Sequence, residues 1–80
     1  MKLPRDVGGS ELVKALSRYG YQLTRQTGSH IRLTTHLKGI HHITIPAHAS
    51  LRIGTLNAVL RDIAQHLKRD KADIIRELWG

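Results

Sequence analysis

Six histidines, at positions 30, 36, 41, 42, 48 and 66, are the side chains of this eighty-residue chain best suited to chemistry. Imidazole titrates near neutral pH and can take or give a proton. His30 has the most informative surroundings. It follows Thr27-Gly28-Ser29, which is turn chemistry, and it opens a stretch of alternating residues. A tight turn at Gly28 and Ser29 lets a phosphate approach backbone N–H groups. Arg25, Arg32 and Lys38 offer positive charge for a phosphate at a transition state. Cleavage of RNA by its own 2′-hydroxyl needs a proton acceptor, a proton donor and a phosphate clamp, and it needs neither a metal nor a protein nucleophile. A strand histidine that merely contacts the nucleic-acid backbone would carry the same pattern.

The other histidines divide by context. Zinc sites want ligands at compatible spacing on one face. His41 and His42 are adjacent on a strand and point to opposite faces. His30 and His42 share a face, but no carboxylate or cysteine lies near either in sequence, so no metal site is expected. His66, beside Leu67 and Lys68, reads as a solvated helix residue. His36 and His41 flank a hairpin loop and read as exposed or phosphate-contacting. His48 follows a strand end and reads as a surface residue or as part of a site formed there. Ser29, His42 and His48 are the candidates for a second proton-transfer group.

Those residues need a scaffold. Leu12, Ala15, Leu16 and Tyr19 recur at helical spacing, with Gly8 as N-cap, Glu11 reaching back to it and Gly20 as the stop, which predicts a helix over about residues 9–19. Tyr21, Leu23 and Arg25 alternate with Gln22, Thr24 and Gln26 as a strand. In the next strand Ile31, Leu33 and Thr35 oppose His30, Arg32 and Thr34. In a third, Ile43 and Ile45 oppose His42 and Thr44, and Pro46 ends it.

Ile31, Leu33, Ile43 and Ile45 must share one buried face, so opposed residues need numbers of equal parity. Pairing His36 with Ile40 meets this and leaves the loop Leu37-Lys38-Gly39, with glycine at the left-handed position. Thr34 then faces His42, Arg32 faces Thr44, and His30 lies near Pro46. Leu56, Val59, Leu60, Ile63 and Leu67 make an apolar stripe on a helix over 55–67, and Asp70 caps a last helix over 71–79 with Asp73 in its first turn. The expected fold is α+β: a three-stranded antiparallel sheet with helices on one face, in the order α-β-β-β-α plus a short C-terminal helix. That order resembles the double-stranded-RNA-binding domain.

Eighty residues make a single domain, 1–80. Lys and Arg total 13 against 6 acids, a net charge of +7. Residues 1–60 hold eight cations against two acids, and residues 61–80 hold five against four. The excess points to a polyanion, most often nucleic acid, or to an acidic protein partner. There is no cysteine, which fits a reducing cytoplasm. No apolar run reaches the length of a membrane span, and the start lacks the apolar core of a secretory signal.

Leu3-Pro4-Arg5, Gly9 to Leu16, Gly20-Tyr21, Arg25 to Leu33 and Ile43 to Ile63 together resemble the HicA (YcfA-like) toxins of type II toxin–antitoxin pairs. The resemblance implies a double-stranded-RNA-binding-domain fold and a ribosome-independent mRNA interferase. It implies that His30, the histidine of the Gly28-Ser29-His30 motif, is catalytic. It also implies a HicB antitoxin that masks this histidine and represses the shared operon, so that operator DNA is met only through the antitoxin. The KKxAK-type helix start of duplex-RNA binders is absent, since the segment leading into the last main helix reads Ile53-Gly54-Thr55, and binding of long duplexes is not implied. The residue-level alternative is a basic RNA-binding module without catalysis, or a subunit that only pairs with an acidic partner.

Overall fold

The computed structural model describes residues 3–80. The chain runs α1 (Gly9–Leu16), a 3-10 turn (Ser17–Tyr19), β1 (Gln22–Thr27), β2 (His30–Thr35), β3 (His41–Pro46), α2 (Ile53–Leu67) and α3 (Lys71–Trp79). The strands form one antiparallel sheet in the order β1-β2-β3. The α+β class, the α-β-β-β-α order and the last short helix are as expected, and the topology is consistent with a double-stranded-RNA-binding domain. Among the described residues, no helix is long and apolar enough to cross a membrane.

Local signals account for the helix ends. The Gly8 N–H donates to Glu11 Oε1 at 3.3 Å, as the sequence implied. The helix tightens into a 3-10 turn over Ser17–Tyr19, and Gly20 stops it at φ 81°. Thr35, fully buried at the end of β2, donates its hydroxyl to the Tyr19 carbonyl at 2.8 Å. α2 starts at Ile53, two residues ahead of the predicted start at Thr55. α3 begins after Asp70, but the Asp70 side chain makes no capping hydrogen bond.

The core sits between one face of the sheet and the helices. Ile31, Leu33, Ile43 and Ile45 supply the sheet side, and Leu12, Leu16 and the whole α2 stripe Leu56, Val59, Leu60, Ile63 and Leu67 cover them. Each such side chain contributes about 1.5–3 kcal/mol by leaving water. Ile74 and Ile75 extend the core under α3. A polar clamp also holds α3. Glu77 Oε1 accepts from the Tyr19 hydroxyl at 2.6 Å and from Arg69 Nη1 at 2.9 Å, while Arg69 Nη2 donates to Glu77 Oε2. Hydrogen bonding from Arg69, and after it from Tyr19, holds the Glu77 carboxyl down at about 2. Burial, reinforced by Glu77, pushes the Tyr19 phenol up to about 12.

Two glycines bring the start of α1 against the segment after β3. A Cβ on Gly9 would lie 2.5 Å from the Pro46 carbonyl oxygen, and one on Gly8 would lie 2.6 Å from that of Ala49. Both neighbours are backbone and cannot swing away. The close approach lets the Gly9 N–H donate to the His48 carbonyl at 2.9 Å and the Leu51 N–H donate to that of Val7 at 2.7 Å. Ala47, held in this segment, donates in turn to the Ser29 carbonyl at 2.6 Å. The glycine pair therefore supports the turn in front of His30 from behind.

Gly9→Ala should destabilise the protein by about 1–3 kcal/mol, the usual range for overpacking, and lower the melting temperature accordingly. Acid should expose the Glu77 clamp. Because its folded pKa lies below the ordinary 4.5, its stabilisation is complete above that value and is lost as pH falls toward about 2. Unfolding midpoints of Glu77→Gln should be flatter than wild type across that window, and parallel curves would show that the clamp is not responsible.

Candidate functional site

Gly28 and Ser29 form a two-residue hairpin turn between the paired residues Thr27 and His30. Thr27 thus ends β1 and is not part of the turn. Gly28 has φ 55°, the positive value that the first position of such a turn demands. A Cβ there would meet nothing, so the backbone angle, not lack of space, selects glycine. His30 follows at the first position of β2, with Thr27 on one side and Pro46 on the other. It is exposed, and its ring is not hydrogen-bonded to any other described residue.

The β2–β3 register matches the parity argument: His30 opposes Pro46, Arg32 opposes Thr44, and Thr34 opposes His42. The ladder stops at Thr35–His41, so His36 and Ile40 belong to the loop and do not pair. Lys38 joins Gly39 in positive φ, at 56° and 102°. Directly opposed residues share a face, so the surface away from the helices carries His30, Arg32, Thr34, His42 and Thr44.

β1 departs from simple alternation. Leu23 opposes Leu33, but Arg25 opposes Arg32, and Thr24 is the extra residue of a bulge. An unbroken ladder would have set Arg25 against Ile31 on the covered face. The bulge instead turns Arg25 to the open face, directly across from Arg32, which corrects the grouping of Arg25 with Tyr21 and Leu23. The tension was visible in the sequence, since plain alternation would place an arginine beside a core isoleucine. Two cations directly opposed are unfavourable unless an anion joins them. No Asp or Glu occurs between Gln22 and Pro46, so the sheet supplies none.

Thr24 is a site residue that sequence reasoning missed. Its hydroxyl lies 3.3 Å from the Arg32 carbonyl and 3.0 Å from the Thr34 hydroxyl, which lies 2.7 Å from His42 Nδ1. His42 is thereby oriented on the open face. His41, on the opposite face, is structural. Its Nδ1 meets the Tyr21 hydroxyl at 2.6 Å, its Nε2 meets Asp62 at 3.2 Å, and its ring stacks on His66 with centroids 4.4 Å apart. Burial, with the Asp62 charge adding to it, raises the Tyr21 phenol to about 12. His66 also reaches the Leu37 carbonyl at 2.8 Å, so it fastens α2 to the β2–β3 loop and is not the free, solvated residue expected.

Lys38 is not brought together with His30. It sits at the opposite end of β2, where its ammonium donates to the Leu67 carbonyl at 3.2 Å and satisfies the end of α2. His48 lines a groove with Val13, Leu23, Gln26 and Ile31, on the helix side of the sheet. His36 is exposed at the hairpin loop. Among the described residues, no three of His, Asp and Glu converge on a point that could hold a metal.

A family model described as the HicA toxin of bacterial toxin–antitoxin systems matches residues 9–65, from the start of α1 into the last turn of α2. No curated protein and no solved structure matches the chain. The matched span is well over half of the chain and contains the Gly28-Ser29-His30 turn, the bulged strand and the segment that supports them. The chain therefore belongs to the HicA toxin family of bacterial toxin–antitoxin systems.

Proposed function

We propose that this toxin is a metal-independent endoribonuclease that cuts mRNA at His30 and is neutralised by a HicB-type antitoxin covering that histidine. The observation that carries the reading is an unengaged imidazole on an acid-free sheet face, beside two arginines set directly opposite each other. In this reading Arg25 and Arg32 hold the RNA backbone, and the Gly28-Ser29 turn lets a phosphate come close to the chain. The RNA's 2′-hydroxyl attacks the neighbouring phosphorus and gives up its proton. The bond from phosphorus to the 5′-oxygen breaks, and that oxygen takes a proton as it leaves. His30 serves one of these transfers as general base or general acid. The products are a 2′,3′-cyclic phosphate and a 5′-hydroxyl. A cognate antitoxin is implied by family membership, and an acidic surface on it would suit the same basic face.

His30 is exposed and outside the core, so His30→Ala should keep the melting temperature while abolishing both mRNA cleavage and growth arrest. A variant that still cuts RNA would overturn the assignment. Cleavage should survive EDTA, and the ends should be cyclic phosphate and 5′-hydroxyl. Removing either Arg25 or Arg32 should weaken RNA binding and make the slope of log affinity against log salt shallower by about one. An unchanged slope would place the RNA elsewhere.

A further inference from the structure

The hydroxyl chain beneath His42 has a direction, and the direction has chemical content. It ends on the Arg32 carbonyl, which can only accept, so the Thr24 hydroxyl donates to it. Thr24 then has no proton left for Thr34 and must accept from it. Thr34, having donated, accepts from His42 Nδ1–H, so the tautomer is assigned from the network that ends at the Arg32 carbonyl. In the neutral ring this leaves Nε2 without a proton, as a bare acceptor. His42 is exposed, and Thr34 is only 7% exposed, so the anchor is shielded while the free nitrogen is not.

We infer that His42, fixed by Thr34 and Thr24, forms a ribose subsite that accepts a hydrogen bond from an RNA 2′-hydroxyl. The identity of the ligand as RNA rests on the proposed function. A phosphate oxygen offers no proton to a bare nitrogen, and the neighbouring arginines already suit it. The 2′-hydroxyl is the donor that distinguishes RNA from DNA. The nucleotide contacted is not the one being cut. His42 opposes Thr34, four residues along β2 from His30, or about 13 Å at the usual strand rise. A proton-transfer group must come within about 3 Å of its proton. While its Nδ1 is bonded to Thr34, His42 cannot act on the phosphodiester that His30 reaches. It is a positioning and selectivity residue on a neighbouring nucleotide.

The test uses full-length protein carrying His30→Ala, so that RNA survives the measurement. Binding is read by fluorescence anisotropy with an RNA oligonucleotide and a DNA oligonucleotide of the same sequence. The His30→Ala protein should prefer RNA. Adding His42→Ala should weaken RNA binding about three- to tenfold, the size of one neutral hydrogen bond, and leave DNA binding unchanged. Thr34→Val should shift the ratio in the same direction, and Thr34→Ser, which keeps the hydroxyl, should restore it. An RNA-to-DNA ratio that His42→Ala does not move, an equal loss for both ligands, or no preference at the outset would each overturn the subsite. Cleavage by the wild-type chain is scored separately. A chain that cuts RNA yet fails the ratio test loses only the subsite. One that passes the ratio test but never cuts loses only the nuclease reading.

Discussion

Ile31, Leu33 and Thr35 must be buried beneath the helices, and this requirement dictates where the rest of the sheet can point. Side chains alternate along a strand, so His30, Arg32 and Thr34 are driven to the other face. β2 is the central strand, and its two neighbours inherit the same division through their pairing. A slip of one residue would put the histidine in the core and isoleucine in water. The short Gly28-Ser29 turn and the clamp from Ala47 to Ser29 hold the register at the end where it matters most.

Much of this could be read from the residues. Parity between Ile31, Leu33, Ile43 and Ile45 fixes the pairings of His30 with Pro46, Arg32 with Thr44 and Thr34 with His42, because a buried face tolerates only one register. Helix limits followed from local signals such as Gly8, Glu11 and Gly20. Other features depend on distant partners. The bulge at Thr24 has no glycine to mark it. Tyr19 and Glu77 are 58 residues apart, and Tyr21 and His41 are 20 apart, so spacing along the chain could not pair them. His41 and His66 read as surface residues from their chain neighbours alone, because the stacked pair forms only where α2 lies over the sheet.

The two faces of β3 use the same side-chain chemistry for different ends. His41 is pinned at both ring nitrogens, and its neighbour His42 is pinned at one. Full engagement makes an imidazole part of the frame, and half engagement leaves it able to meet a ligand in a fixed orientation. His30, tied at neither nitrogen, keeps the freedom that a proton carrier requires.

Arg25 facing Arg32 has a thermodynamic consequence of its own. The bulge sets two like charges opposite each other, so the fold by itself carries repulsion on the order of a few tenths of a kcal/mol to 1 kcal/mol. Any anionic occupant relieves it, and by linkage an occupant that binds only the folded chain also stabilises that chain. Two polyanionic occupants of this face would draw on the same relief and so exclude each other. On the proposed reading RNA and antitoxin are two such occupants, and which of them holds the face follows their relative affinities and concentrations.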